Sequence, residues 1–363
     1  MIRGAPGQIL LAIAVGVHAA AAPTPGAQPL LVERHGYLMG TRVALSVWAA
    51  DRARGQARLE RAYQALEETD ADLSTWRDES PVSQFNRTEV GEDWRIPPRL
   101  CPLFGSLAEW HALTGGAFDP AIGALTRAWD IHGKGRVPHP QDLNLAHAAS
   151  GFDRLHFVRH ACSIMRRGAD VTIDVGAFGK GEALDRAGGV LDGQPWMIDL
   201  GGQISVGGWL AGQPAWPMAL SDPRDRSRPR LELSLPRGSL STSGGSERDR
   251  IVDGVRVGHI LDPRTGRPAT FDGSATVWHD RALIADILST ALYVMGPKSG
   301  LRWADEHRIA VCFLQVNASG VIEVTMSSAF RPLLGAVTGA ADSGEKSGVK
   351  ERDRQDSNLR PQA

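Results

Sequence analysis

The chain has 363 residues with 40 Lys and Arg against 41 Asp and Glu, and a formal net charge of -1 gives no electrostatic reason to expect nucleic acid or an anionic membrane as partner. Hydrophobic residues at 42% and charged residues at 22% exclude a disordered or coiled-coil chain, while 41 Gly and 22 Pro point to a loop-rich globular protein with a packed core. At this length one elaborate domain or two smaller ones can form.

The N-terminal stretch carries Arg3, an apolar run Ile9–Val17, His18 and then a run of alanines that offers several A-x-A cleavage sites. This pattern reads as a secretory signal over residues 1–23. The apolar run is shorter than the roughly 20 residues that cross a bilayer as a helix. No cysteine follows it, as a bacterial lipoprotein would require, so an exported, periplasmic, soluble protein without a stable membrane span is expected. Cys101, Cys162 and Cys312 are odd in number, widely spaced and in no CxxC pair, which argues against a zinc site and a disulfide framework. They are expected as small core residues, their thiols buried or otherwise protected in an oxidising compartment.

From Leu30 to Leu334 the composition is even and no linker or repeat marks a boundary, so one domain over 30–334 is expected. Leu38–Trp48 alternates as a strand, and Ala57–Leu73 places Leu59, Tyr63, Leu66 and Leu73 on one helical stripe. A helix over Leu100–Leu113 should stop at Gly115-Gly116. Short strands are predicted at Val171–Val175, Pro195–Leu200, Leu231–Leu235, Ala275–Trp278, Ala310–Val316 and Val321–Met326. Helices and strands interleave without a strict βαβ beat, so the fold class expected is α+β, with mixed or antiparallel sheets and packed helices. Beyond Gly335 the chain becomes small and charged, and a disordered tail over 335–363 is expected.

Three segments carry candidate chemistry. Asp174-Val-Gly-Ala-Phe-Gly-Lys-Gly181 is a strand-like run entering a glycine-rich turn and then a helical pattern over Glu182–Ala187. Glycines allow close backbone approach, N–H groups at a helix start face outward, and Lys180 can meet a phosphate. It is neither a Walker loop nor G-x-G-x-x-G, and an ordinary strand-to-helix turn remains an equal reading of this segment alone. The helix Arg281–Met295, with Asp280 as its expected cap and Gly296-Pro297 as its end, places Asp286 and Thr290 on one side. A carboxylate and a hydroxyl amid Ala, Ile and Leu form oxygen chemistry suited to Mg²⁺ if Asp286 is a solvent-reachable ligand, and an exposed Asp beside a back-bonded Thr is the alternative. The third segment, His259-Ile-Leu-Asp-Pro-Arg-Thr-Gly266, is a short strand running into a turn, preceded by Ser241-Thr-Ser-Gly244. His259 reads as a base, a cofactor contact or a structural histidine. His156 and His160 fall in a strand-like stretch without helical ligand spacing, and no G-x-S-x-G or HExxH occurs.

Taken in order, Tyr37-Leu-Met-Gly-Thr41, Leu73-Ser-Thr-Trp76 with Ser80 through Asn86, Gly116-Ala-Phe-Asp-Pro120 through Trp129, Asp174–Gly181, Asp199-Leu-Gly-Gly202, Ser241–Gly244, His259–Pro268 and Ala285–Gly296 resemble the blocks of the flavin transferase (ApbE) family. The resemblance covers about Leu30 to Phe330. It implies a Mg²⁺-dependent FAD:protein FMN transferase, which splits FAD and attaches FMN through a phosphoester to a Thr or Ser of an acceptor protein, releasing AMP. It implies FAD contacts at Met39, Trp76, Ala117, Phe118, Asp119, Asp174, Lys180 and Ile260. It also implies metal ligation by Asp286, Thr290 and the Ala177 carbonyl, with Ser289 as a further ligand. His259 matches a position linked to activity, so His259 and Asp174 are the candidate bases and Lys180 the phosphate-binding catalytic cation. The chain departs from the family pattern at Trp76, where Tyr is usual, at Gly123-Ala-Leu in place of Gly-Pro-Leu, and in lacking a lipoprotein cysteine. The same residues also suit an FAD pyrophosphatase, in which water replaces the protein hydroxyl, or a secreted flavin carrier without turnover.

The signal reading predicts a mature N-terminus near Ala20–Ala27. N-terminal sequencing of protein recovered from the secreting cell checks this, and recovery only of chain starting at Met1 contradicts it.

Overall fold

Eight antiparallel strands lie side by side in one sheet in the same order as they occur in the chain: β1 Leu30–Leu38, β2 Thr41–Ala49, β3 Trp196–Leu200, β4 Gln203–Gly207, β5 Gly238–Gly244, β6 Gly273–His279, β7 Ala310–Val316 and β8 Ile322–Met326. The computed structural model describes residues 29–335 apart from 192, 211, 214, 246–248 and 253. The expected signal segment and the tail beyond Gly335 lie outside the described residues. Among them no helix is long and apolar enough to cross a membrane.

The rest of the described chain is inserted between sheet neighbours. Between β2 and β3 come the long helix Arg52–Leu73, the helix Cys101–Leu113, a small three-stranded sheet and the helix Gly179–Gly189, while the helix Ala282–His307 joins β6 to β7. One sheet face packs on helices: Val43, Leu45 and Ile198 meet Leu59, Leu66, Ala183 and Leu184, and Val277, Val311 and Phe313 meet Ile284, Leu288 and Leu292. The opposite face packs under the hairpin Trp216–Asp222 and Asp225–Leu235, through Ala310, Cys312 and Leu314 against Trp216, Leu220 and Leu233. Alternate residues of β7 therefore enter two different cores, which is why Ala310–Leu314 reads as an unbroken apolar run.

The α+β class with helices packed on an antiparallel sheet is as expected. Several elements match closely: β7 spans the predicted residues, and Cys101–Leu113 is followed by Gly115 and Gly116 at φ 58° and 75°. The region around Leu38 holds a two-residue turn: Met39 and Gly40 both have positive φ, 50° and 71°, and join β1 to β2 where one strand was predicted.

Two expectations are overturned. Val171–Val175 is not a strand. Asn86 takes the place of a neighbouring strand there, donating to the Ile173 carbonyl at 2.9 Å and accepting from the Ile173 N–H at 2.7 Å. The cysteines are not three buried thiols. Cys312 is buried, its thiol pKa pushed up to about 12 by burial, but Cys101 and Cys162 form a disulfide. The fold brings the start of the Cys101–Leu113 helix to the turn before strand Ser163–Arg166, with the two Cα atoms 5.7 Å apart across a sequence separation of 61. Spacing in sequence carries no signal of such tertiary adjacency.

Closing a loop of that length should contribute about 2–4 kcal/mol. Chemical denaturation with and without reductant measures it; coincident curves for the oxidised protein and a Cys101→Ala variant would contradict the bridge.

Candidate functional site

The site begins where the N-termini of two helices meet. Gly181, in the first turn of Gly179–Gly189, lies so close to the second helix that a Cβ there would stand 2.5 Å from the Ala282 carbonyl oxygen and 2.6 Å from Leu283 Cα. That approach lets the Gly181 N–H, one of the unpaired donors of a helix start, reach Asp286 Oδ2 at 3.0 Å. Lys180 Nζ donates to the other oxygen, Asp286 Oδ1, at 2.7 Å. Asp286 is only 2% exposed, which corrects the expectation of a solvent-reachable ligand; its two oxygens are met by the ammonium and the helix terminus. The bond is returned from the other side, since Asp185 on the first helix accepts from the Ala282 and Leu283 N–H groups at 2.6 and 3.2 Å. The predicted cap, Asp280, is not the N-cap: Arg281 occupies that position without a side-chain cap bond. Helical φ/ψ break at Gly296 (φ 69°, ψ 169°), as the sequence suggested, but the helix resumes from Pro297 to His307.

Hydroxyls from β5 complete this face. Ser241 Oγ lies 3.4 Å from Asp286 Oδ1 and 3.1 Å from Ser289 Oγ, and Ser243 Oγ lies 2.9 Å from Ser289 Oγ and 3.3 Å from Thr290 Oγ1. Ser289 also donates to the Asp286 carbonyl at 3.0 Å. Ala177 sits in the turn that leads into Lys180. One carboxylate with neighbouring hydroxyls is an all-oxygen donor set, the chemistry of a hard divalent cation such as Mg²⁺. No cluster of three or more His, Cys, Asp or Glu that could hold a metal ion occurs among the described residues, so any cation here would rest on one carboxylate and hydroxyls.

Asp174, at the head of the glycine turn, accepts from the Gly176 N–H at 2.9 Å and meets His132 Nε2 at 2.9 Å. Burial alone would raise its pKa; the His132 hydrogen bond and charge, with the Gly176 N–H, outweigh that and hold the carboxyl below the usual range. The same residues border a cleft of about 400 Å³ lined by Trp76, Asn86, Arg127, His132, Thr172 and Asp174. Trp76 stands 78% exposed at this cleft with its ring edge-on to His132, centroids 5.9 Å apart. Met39 reaches the turn from the β1–β2 hairpin, its Cε 3.3 Å from where a Cβ on Gly179 would stand.

The other predicted residues are placed differently. Ala117 and Phe118 are buried in the core with Leu73, Val82 and Phe85, so only their backbone is available to a ligand. Asp119 is buried too, one oxygen accepting from the Ala121 N–H at 2.7 Å and the other from the Phe152 N–H at 3.0 Å. Burial raises its pKa against the opposing effects of His111 and those N–H groups. His259 is half-buried; its backbone N–H and Nδ1 both engage Asp249 Oδ1, at 3.1 and 3.0 Å, and Arg256 holds the other Asp249 oxygen at 3.0 Å. Burial would raise the Asp249 pKa, but the His259 and Arg256 interactions keep it low. Ile260 packs beside the helix Ala282–His307 while its carbonyl accepts from the Ala269 N–H at 2.9 Å. The hydrogen bonds of His259 run to Asp249 and not to the Lys180–Asp286 group. Sequence reading missed Asp185, His132 and Asp249. Asp185 was accessible in principle, because it lies four residues after Gly181 on the same helical face.

The sequence pattern of the ApbE family matches residues 39–313. The FAD:protein FMN transferase of Vibrio cholerae is 29% identical over 277 residues, covering 74% of this chain and 82% of that protein, and the one of Salmonella typhimurium is 28% identical over 323 residues, covering 86% and 91%. The crystal structure of the ApbE protein from Thermotoga maritima superposes with a TM-score of 0.77 at 27% identity, over 85% of this chain and 100% of that one. The flavin transferase ApbE from Vibrio cholerae gives 0.75 at 26% identity, over 84% and 100%.

Because Asp286 compensates a mostly buried ammonium, Asp286→Ala should cost about 3 kcal/mol of stability besides any loss of activity. Adding Lys180→Met should restore part of that loss. Denaturant melts of the two variants check the pair, and equal stability of Asp286→Ala and the parent would contradict it.

Proposed function

The chain belongs to the ApbE family, and from that premise we propose that it is an exported, Mg²⁺-dependent FAD:protein FMN transferase acting on a Thr or Ser hydroxyl of an acceptor protein in the same compartment. The observation that carries this reading is the convergence of Lys180, the Gly181 N–H and the buried Asp286 carboxylate just past a glycine turn whose first residue, Asp174, lines a cleft with Trp76. The signal-like N-terminus supports export.

The reaction asks for positioning and charge neutralisation more than covalent chemistry. The acceptor hydroxyl oxygen forms a bond to the FMN phosphorus, the bond from that phosphorus to the bridging oxygen breaks, and AMP leaves with that oxygen. When bound, Mg²⁺ neutralises charge on the pyrophosphate oxygens. Asp286, Ser289, Thr290 and the Ala177 carbonyl are the residues that would hold it. Lys180, at the end of the glycine turn, binds phosphate oxygens, and the exposed face of Trp76 offers a stacking surface for the flavin ring. Met39 and Ile260, with the backbone of Ala117–Asp119, shape the walls around the substrate.

Of the two candidate bases, His259 is the better suited to take the hydroxyl proton. Its Nδ1–H donates to Asp249, which leaves Nε2 as the basic nitrogen. Asp174 has both oxygens engaged and a lowered pKa, so it serves as a fixed acceptor that orients His132 and the turn.

Incubation with FAD, Mg²⁺ and a candidate acceptor should give an acceptor heavier by one FMN phosphoryl group, with AMP in equal amount, read by intact mass and chromatography. His259→Ala should lower kcat by about 10²-fold or more without weakening FAD binding. AMP with free FMN and an unlabelled acceptor would mean a pyrophosphatase; intact FAD would mean a carrier.

A further inference from the structure

We propose that Asp185 is a positioning residue for the cation-binding face, holding Asp286, Ser289 and Thr290 in register by capping the helix that carries them. The inference rests on the reading that this face takes a divalent cation. The helix Ala282–His307 opens at Arg281 with no side-chain cap bond of its own, although its first N–H groups have no partner within the helix. Asp185 supplies what is missing from a different helix, accepting from Ala282 N–H at 2.6 Å and Leu283 N–H at 3.2 Å. Arg281 lies 3.5 Å from the same carboxylate, and Glu182, one turn back on the Asp185 helix, opposes its charge.

The lever is short. Asp286 is one helical turn beyond Ala282 and Ser289 and Thr290 are the next, so fixing the first turn fixes the angle at which all three oxygens meet β5. The Gly181 contact sets the separation of the two helices, while Asp185 sets the rotation and axial position of the second against the first. A cap from within the Ala282–His307 helix would satisfy the same N–H groups but would not tie them to the turn that carries Lys180. Asp185 joins the two halves of the site, the phosphate-binding turn and the oxygen face, without touching substrate.

The test uses the full chain and its Asp185→Ala and Asp185→Asn variants, titrated with Mn²⁺ in the absence of FAD and acceptor and followed by electron paramagnetic resonance. Asp185→Ala should weaken Mn²⁺ binding by about 10-fold or more, and Asp185→Asn, which keeps one acceptor oxygen, should recover most of that affinity. Amide hydrogen exchange at Ala282 and Leu283 should accelerate in the same order. Mn²⁺ affinity unchanged in Asp185→Ala, with only the melting temperature lowered, would overturn the proposal and leave a purely structural cap. Should Asp185→Ala not fold, Asp185→Asn decides: faster exchange at Ala282 and Leu283 with parental Mn²⁺ affinity overturns the proposal equally. If the parent chain itself binds no Mn²⁺ or Mg²⁺, the cation reading of the site fails and this proposal falls with it; parental binding matched by the variants defeats the positioning role alone.

Discussion

A carboxylate removed from water must find compensation, and the compensation found by Asp286 organises the whole site. Lys180 supplies a full charge and the Gly181 N–H a helix terminus, both on the Gly179–Gly189 helix, and the absence of a side chain on Gly181 makes the approach possible. The groups that neutralise Asp286 are of the kind that bind phosphate. The same few atoms thus hold two helices together and set a lysine-bearing glycine turn beside an oxygen-rich face.

The sheet makes this meeting possible from distant parts of the chain. Its strands run in sequence order, so large insertions leave and return at neighbouring strands without disturbing the ladder. One insertion, between β2 and β3, ends in the lysine helix; another, between β6 and β7, is the aspartate helix. Both pack on the same sheet face. β5 contributes Ser241 and Ser243, two residues apart and hence on one side of the strand, towards Asp286 and Ser289, whereas Thr242 between them pairs with Thr276 of β6 at 2.9 Å. The period of a strand and the period of a helix intersect at a single cluster of oxygens.

How much of this was legible in the sequence depended on whether the signal was local. The apolar run of Ala310–Val316, the glycines after Leu113 and the shared side of Asp286 and Thr290 are local, and the structure contains them. Val171–Val175 has strand composition but is satisfied by the side chain of Asn86, a partner 87 residues away. The Cys101–Cys162 bridge, the burial of Asp286 and the cap supplied by Asp185 are likewise tertiary facts, and no spacing rule announces them. Asp280 was the obvious cap by position; the carboxylate that wins is on another helix because Gly181 brings that helix within reach. The ordered family blocks carried the flavin chemistry, which neither the glycine turn nor the oxygen face specifies by itself.

The central claim is that the Asp286 oxygen face and the Lys180 turn would together serve one site for a divalent cation and the FAD pyrophosphate. Pulsed electron paramagnetic resonance of the Mn²⁺-loaded protein with FAD tests it most directly. The account predicts a phosphorus hyperfine coupling from the FAD pyrophosphate that disappears in Asp286→Asn. Tightly bound Mn²⁺ without phosphorus coupling in the parent protein, or an undiminished coupling in that variant, would contradict it.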